Sequence, residues 1–370
     1  MMDAFQIPGP IVYYISGHGF GHAVRSIQII NELLRLGCEV WIKTTAPPFL
    51  FNEDLDHRLP LVSEQFDVGL YQLDNIRFDL EKTKGEVKRL LKEAEALISR
   101  EQAFFEAEKV SGVVCDIPFI PLAAAAGMGI PAIGVSNFSW DWIYSSYCQE
   151  DPEWVPLVET IRGYYQAGGV LLRLPFYGEM GGTFRYMEDI PLVARHSRTP
   201  RSELRRKLAL PEDRKIGLIG YTRLDLSEKA LKKIKQLSSE YLFLIHAPLK
   251  WGASIFKSVD KKEISFVDMV HMADFVMTKP GYGMVSECLS HGTPMIYSDR
   301  GLFPEYPILV AGIKSQLSSC YMPQEDLYSG NWGPYLKELA GQPRRQPDIK
   351  TNGALMAAKR IVERINKGEG

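Results

Sequence analysis

The sequence predicts an α/β protein made of two doubly wound parallel-sheet domains that face each other across a cleft. Three observations carry that expectation. Near-continuous apolar runs of strand length alternate with helical segments, the pattern of parallel strands covered on both faces. The alternation occurs twice, interrupted by a stretch rich in charge and proline. The length, 370 residues, is ample for two cores of ordinary size.

The elements follow in order. IVYYI (11–15) is the first apolar strand. Ile27, Ile30, Leu33 and Leu34 then mark one helical face that stops at Gly37, and CEVWIKT (38–44) is the next strand. Residues 81–110 read as a long charged helix or helix pair. GVVCD (112–116) and IPAIGVS (130–136) are strands around the alanine-rich helix 119–128, and GVLLRL (169–174) closes the first half. RYMEDIPLVARHSRTPRSELRRKL then reads as a linker. The alternation resumes with KIGLIGY (215–221), a lysine-rich helix near 226–239, YLFLIHA (241–247), DFVMTK (274–279), a helix from about 282, and PMIYSD (294–299). The expected division is an N-terminal domain over 1–190, a linker over 191–214, a C-terminal domain over 215–345, and a final helix, 346–370, packing back on the N-terminal domain.

Composition excludes several classes. Forty-three basic against 45 acidic residues give a net charge of −2, so no global field attracts nucleic acid. Five scattered cysteines without a CxxC pair argue against a disulfide framework or a zinc site and suit a reducing cytoplasm. The first ten residues lack the features of a secretory signal. The uncharged stretch that follows Asp116 is broken by Pro118, Pro121 and Pro131, so it reads as a buried helix and strand rather than a membrane span. The basic cluster Arg195, Arg198, Arg201, Arg205, Arg206 and Lys207 is a solvated face or a weak peripheral contact for anionic lipid; no apolar stripe accompanies it.

The chemistry concentrates in YYISGHGFGHAVRSIQII (13–30), where Gly17, Gly19 and Gly21 alternate with His18 and His22. In an open parallel sheet, ligands bind at the carboxyl ends of the strands, where this loop lies. Glycines let its backbone approach a ligand, and the helix that follows points a partial positive charge into the same space. Both GxxxxGK[ST] and GxGxxG fail here, because His22 falls where each pattern needs glycine. A kinase or dehydrogenase is therefore poorly supported.

The pattern present is GxGHxxR, Gly19 to Arg25. It resembles the first loop of GT-B glycosyltransferases, especially the nucleotide-sugar-dependent glucuronosyl, plant-glycoside and lipid-linked N-acetylglucosaminyl transferases. TKPGYGMVSECLSHGTPMIYSDRGLFPEY (278–306) is similar to their donor-binding signature: a basic residue, a glycine-rich turn, a glutamate on the next helix, then G-x-P and a final acid. More narrowly, YYISGHGFGHAVR, VSNFSWDWIY, LLRLPFY and NGALMAAKRIV resemble the glycosyltransferase-like N-terminal domain of plant L-arabinokinases and its free-standing bacterial relatives. That likeness runs from residue 11 to about 364. The sugar-kinase domain of those plant proteins has no counterpart in this sequence.

The resemblance implies transfer of a hexosyl or N-acetylhexosaminyl group from a nucleotide-diphosphate sugar, UDP-linked, to an acceptor hydroxyl, with inversion by direct displacement. It places His22 as the base and Asp116 as the carboxylate that orients it. Locally, His22 also reads as a residue packing the loop and Asp116 as a helix cap, and His18 competes for the base or touches donor phosphate or acceptor. On the donor side, Gly281, Tyr282 and Gly283 offer backbone N–H groups to phosphate, Lys279 adds a point charge, and Glu287 binds the ribose. Glu305 resembles the acid that holds sugar hydroxyls. Arg223, in GYTRLD, either touches phosphate or faces water. On the acceptor side stand Gly17, His18, Gly19, Gly21, Asn137, Trp140 and Asp141; the two tryptophans of SNFSWDWIY (136–144) read as a platform for a sugar ring, with Asn137 and Asp141 to hold its hydroxyls, or as core. Asp54-Leu55-Asp56 reads as loop, and the other histidines lack metal spacing, so neither a metal nor another cofactor is expected. The alternatives are a nucleotide-sugar-binding module without catalysis, a sugar-nucleotide epimerase on the same fold, and a scaffold that has lost the site.

Overall fold

The apolar runs become two parallel sheets, each in its own unit. The computed structural model describes residues 7–73, 77–260 and 262–369. One unit contains the chain up to Ala194 together with Phe303–Ile308 and the segment from Lys350 onward; the other contains Arg195–Leu302 and Leu309–Ile349.

In the first unit the order is β1 (Ile11–Ile15), α1 (Phe20–Arg35), β2 (Val40–Thr44), α2 (Pro48–Asp54), β3 (Leu61–Val62), β4 (Tyr71–Gln72), β5 (Phe78–Asp79), α3 (Leu80–Ala107) and β6 (Gly112–Asp116). Then come α4 (Ile120–Ala126), β7 (Ala132–Ser136), α5 (Trp140–Ser145), α6 (Trp154–Ala167), β8 (Val170–Arg173) and β9 (Tyr186–Asp189). The main sheet runs β3-β2-β1-β6-β7-β8-β9, parallel throughout. β1, β6 and β7 are buried along their whole length, as strands covered by helices on both faces must be. Strand order reverses between β1 and β6, with Ile15 opposite Asp116. The crevice at a switch point of a doubly wound sheet therefore opens at Asp116 and the glycine loop.

The second unit holds α7 (Arg201–Lys207), β10 (Lys215–Ile219), α8 (Glu228–Lys235), β11 (Tyr241–Ile245), β12 (Phe256–Ser258), α9 (Phe266–Met272), β13 (Phe275–Thr278), α10 (Tyr282–His291) and β14 (Met295–Tyr297). α11 (Glu305–Gln316), counted with this unit from Leu309 onward, β15 (Ser319–Tyr321), α12 (Gln324–Ser329) and α13 (Gly333–Ala340) follow. Its sheet runs β12-β11-β10-β13-β14-β15, and the switch point falls between β10 and β13. α14 (Gly353–Lys367) belongs to the first unit, where it packs along α1.

The stretch expected as a linker is structured. Tyr186–Asp189 is β9, the edge strand of the first sheet, and Arg201–Lys207 is α7. β9 is half exposed and carries charge, so it lacks the apolar run that marks the central strands. Glu188 on β9 pairs with Arg360 at 2.6 Å and Arg364 at 3.1 Å on α14, which closes that edge. Arg201 and Arg205 both pair with Asp274, so neither is a loose surface charge.

α14 enters the first unit through Gly353. A Cβ there would lie 2.1 Å from the Pro191 carbonyl oxygen. Backbone cannot yield as a side-chain tip does, so Gly353→Ala is expected to destabilise the first unit by about 1–3 kcal/mol in denaturant unfolding. Gly85, exposed within α3 with open space at its Cβ position, is the control. Gly85→Ala is expected to be neutral or to stabilise by up to about 1 kcal/mol through helix propensity.

Candidate active site

The first cluster is built by the start of α1 and the ends of β6 and β7. His22, Arg25 and Ser26 follow a spacing of three and four, so they share one helix face, and all three are buried. Gly19 caps the helix at φ 77°, a left-handed conformation that favours glycine. Gly17 permits a close approach of another kind: its Cβ would collide with Thr45 Oγ1 at 2.1 Å.

Asp116 is the centre of this cluster and is completely buried. Arg25 grips it with two parallel bonds, Nε to Oδ2 at 2.6 Å and Nη2 to Oδ1 at 2.6 Å. Ser26 Oγ donates to Oδ2 at 2.9 Å, and His22 Nδ1 lies 2.8 Å from Oδ1. The carboxylate only accepts, so in that contact Nδ1 donates and Nε2 is left as the basic nitrogen; Arg25 Nη2, itself only a donor, also lies 3.1 Å from Nδ1. Burial works to raise the Asp116 carboxyl, but Arg25 and then His22 outweigh it and hold the group down at about 2. Arg25 continues the network, with Nη1 donating to Asn137 Oδ1 at 2.7 Å and Nη2 to Ser136 Oγ at 3.1 Å. Asn137 Nδ2 in turn donates to Glu305 Oε1 at 2.8 Å.

Glu305, assigned to the donor side, is buried among first-unit residues and bonded to Asn137. Of the two readings left open for Trp140 and Asp141, platform or core, the burial is that of core. Trp140 and Asp141 are completely buried, Trp140 stacking on Tyr144 at 5.5 Å while Asp141 accepts from Arg162 Nε at 3.0 Å and Thr183 Oγ1 at 2.9 Å. The strand-end position suggested exposure, but α5 turns these side chains inward. Trp140 matters through its edge: Nε1 donates to Asp67 Oδ2 at 2.7 Å, and the His18 ring meets it edge-on at 5.4 Å. Burial pushes the Asp67 carboxyl up, partly countered by hydrogen bonds from Ser16 and Trp140.

Sequence reasoning missed Arg25 and Asp67 as site residues. Arg25 had a readable signal, its position three after His22 on the same helix face. Asp67 lies in a segment without periodicity and had none.

The second cluster lies at the carboxyl edge of the second unit's sheet. Gly281 caps α10, which presents backbone N–H groups and a partial positive charge there. Gly220, at the end of β10, lies beside β13, where Thr278 Oγ1 donates to its carbonyl at 3.0 Å. Tyr282 is buried, Lys279 and Gly283 are half-buried, and Arg300 Nη1 donates to the Pro280 carbonyl at 3.1 Å. Arg223 is exposed and lies 3.1 Å from Asp225. Glu287 is buried on α10 and accepts from Arg195, Nε to Oε1 at 2.6 Å, with Nη2 closing on the same oxygen. Any ribose at Glu287 therefore meets a carboxylate already oriented by a guanidinium.

Asp54 ends α2, and Asp56 pairs with Arg35 at 2.8 Å; Asn31 ties both to α1 through their backbones. Among the described residues, no group of three or more His, Cys, Asp or Glu side chains is placed to hold a metal ion, and no helix is long and apolar enough to cross a membrane.

Removing Arg25 leaves a buried carboxylate short of its main partner, so Arg25→Ala is expected to destabilise the first unit by about 3–5 kcal/mol. The acid dependence follows from the lowered Asp116. Its folded value lies below the unfolded one, so its contribution is complete above the unfolded value and is lost as pH falls through about 2. The difference in unfolding free energy between wild type and Asp116→Asn is expected to stay constant near neutrality and shrink steadily below about pH 4. A difference that grows on acidification contradicts the pairing.

No family model matches the chain. L-arabinokinase of Arabidopsis thaliana is 30% identical over 361 residues, 95% of this chain and 34% of that protein, so the chain spans about a third of the relative's length. Among solved structures, the glycotransferase of kitacinnamycin superposes with a TM-score of 0.62 at 15% identity over 98% of this chain and 96% of that one. The calicheamicin glycosyltransferase CalG4 gives 0.60 at 13% identity, over 98% and 94% of the two chains. A UDP-glucosyltransferase from Polygonum tinctorium gives 0.57 at 14%, also over 98% and 94%. The chain has the GT-B glycosyltransferase fold, and its sequence is related to the matched third of L-arabinokinase.

Proposed function

We propose that the protein is a metal-independent, inverting glycosyltransferase that moves a hexosyl or N-acetylhexosaminyl group from a UDP-sugar to a hydroxyl acceptor. The observation that carries this reading is the His22–Asp116 pair at 2.8 Å, set at the switch point of the first sheet in a GT-B fold. His22 Nε2 takes the proton of the acceptor hydroxyl. The hydroxyl oxygen's electron pair forms the bond to the anomeric carbon while the bond from that carbon to the diphosphate oxygen breaks, and its electrons leave with UDP. Asp116 holds Nδ1–H and so fixes which nitrogen is basic. The N-terminus of α10 and Lys279 stabilise the departing diphosphate, and Glu287 holds the ribose.

A second reading has its own observation. Arg25 occupies both oxygens of Asp116, which suits a carboxylate whose work is to fix the fold. A module that binds a nucleotide sugar without transferring it fits that arrangement. Turnover separates the two: release of UDP from a UDP-sugar supports the enzyme, and tight binding without release supports the module.

His22→Ala is expected to lower turnover by about 10²–10⁴ with donor affinity nearly unchanged, the range for loss of a general base. Asp116→Asn is expected to cost less, and the double variant less than the sum, because the two groups act as a unit. If His18→Ala removes turnover and His22→Ala only weakens binding, the roles are reversed.

Glu287→Ala is expected to weaken UDP binding in calorimetry while the circular dichroism spectrum is kept. Activity is expected to persist in EDTA. Complete loss that a divalent metal restores counts against a leaving group stabilised by the helix and lysine alone.

A further inference from the structure

The second unit has a cavity at the amino edge of its sheet, the edge opposite the strand ends where α10 begins. It measures about 260 Å³. Arg205 on α7, Glu212, Asp213 and Arg214 in the loop that follows, Lys215 at the start of β10 and Asp274 immediately before β13 line it. Substrates of an open parallel sheet bind at the carboxyl ends of its strands, so this space is separate from the donor site proposed above. All six walls are ionisable, and none is apolar.

Positive charge is in excess at its floor. Asp274 accepts from the Ile216 backbone N–H at 2.7 Å and pairs with both Arg201 and Arg205, the latter through Nη2 at 2.9 Å. Burial works to raise the Asp274 carboxyl, but that N–H and the two guanidiniums outweigh it and hold the group below the usual carboxylate range. The acceptor capacity of Asp274 is therefore spent inside the fold. Arg201 is held below its ordinary value, first by burial and next by repulsion from Arg205, with Arg344 adding to it and Asp274 opposing. Arg205 Nε donates to the Met272 carbonyl at 3.0 Å, while Nη2 is buried and, among the described residues, has no aligned hydrogen bond in spite of its nearness to Asp274. An anion at this floor relieves the repulsion between the guanidiniums.

The remaining walls select the ligand class. Arg214 and Lys215 extend the positive side, and Lys215 is exposed. A carboxylate offers two oxygens to three cations, whereas a phosphate monoester offers three. Glu212 and Asp213 are exposed and only accept, so the complementary ligand carries hydroxyl donors beside its anion. Sites for drug-sized molecules are typically ~300–1,000 Å³ and lined mostly by apolar side chains. This cavity is smaller and gives a nucleobase or a lipid chain no apolar wall.

We propose that this cavity binds a phosphorylated monosaccharide, with its phosphate on Arg205, Arg214 and Lys215 and its ring hydroxyls on Glu212 and Asp213. The site is additional to the transfer reaction and does not rest on it.

The test is calorimetric titration of the full chain with α-D-glucose 1-phosphate, D-glucose 6-phosphate and α-D-galactose 1-phosphate, beside glucose and inorganic phosphate. At least one sugar phosphate is expected to bind saturably and about tenfold or more tighter than glucose or inorganic phosphate, a difference of about 1.4 kcal/mol. Arg214→Gln is expected to weaken both the sugar phosphate and inorganic phosphate about tenfold. Lys215→Gln, on an exposed side chain, gives the same reading if the first variant folds poorly. Glu212→Ala combined with Asp213→Ala is expected to weaken the sugar phosphate while inorganic phosphate binds at least as well, because hydroxyl acceptors and negative charge leave together. An unchanged thermal midpoint certifies folding of each variant. Saturating UDP is expected to leave the sugar phosphate bound. Absence of sugar-phosphate binding, inorganic phosphate bound equally well, binding indifferent to these variants, or displacement by UDP overturns the assignment. Cosedimentation with phosphatidylinositol 4-phosphate vesicles in place of soluble binding overturns it as well, making the basic face a lipid contact.

Discussion

The ion pair between Arg25 and Asp116 is the constraint on which the first unit's polar crevice depends. A carboxylate with no solvent exposure is costly, and only good geometry and further hydrogen bonds offset that cost. Arg25 supplies the geometry through its two parallel bonds, and His22 and Ser26 satisfy the remaining acceptor capacity. The pair fixes the start of α1 against the end of β6, and through Ser136 and Asn137 it fixes the end of β7 as well. Groups that would otherwise need water are thus arranged around one buried charge. The position of His22 follows from that arrangement.

The second unit solves a different electrostatic problem with backbone rather than with a buried carboxylate. The strand-to-helix turn at Gly281 aims the N–H groups of α10 at the carboxyl edge of the sheet. Lys279 and Arg300 add charge beside the same turn, one as a point charge and one through the Pro280 carbonyl. Glu287 is the acidic member of this otherwise positive edge, and Arg195 holds it in one orientation. Backbone N–H groups suited to an anion and one oriented carboxylate thus lie within about two turns of one helix.

Close approach is the device common to both ends of the first unit. Gly353 lets α14 seat its first turn on the backbone at 191–192, and Gly69 lets the His18 side chain approach a neighbouring segment closely. A side chain at Gly353 would meet backbone, and one at Gly69 would meet the His18 imidazole. Helix docking at one position and the seat of the His18 side chain at the other therefore depend on the same absence of a Cβ.

Most of the architecture was legible in the amino-acid sequence because parallel strands covered on both faces are written as unbroken apolar runs. IVYYI, GVVCD and YLFLI stand at Ile11–Ile15, Gly112–Asp116 and Tyr241–Ile245. The glycine loop and the turn before α10 were legible too, since backbone turns leave a composition signal. β9 was not, because an edge strand needs no apolar run and its charges are satisfied by α14, distant in sequence. For Trp140 and Asp141 the sequence left platform and core open, and the packing of α5 decided for core, because burial depends on what packs on an element and not on its place in the chain. Asp67 and Glu305 acquired their neighbours only on folding, Asp67 through Trp140 and Glu305 through Asn137, at separations of 73 and 168 residues. Local periodicity and turn chemistry determine which elements form. Which buried polar groups meet is a matter of tertiary packing, because a hydrogen bond between distant residues leaves no local trace in either sequence partner.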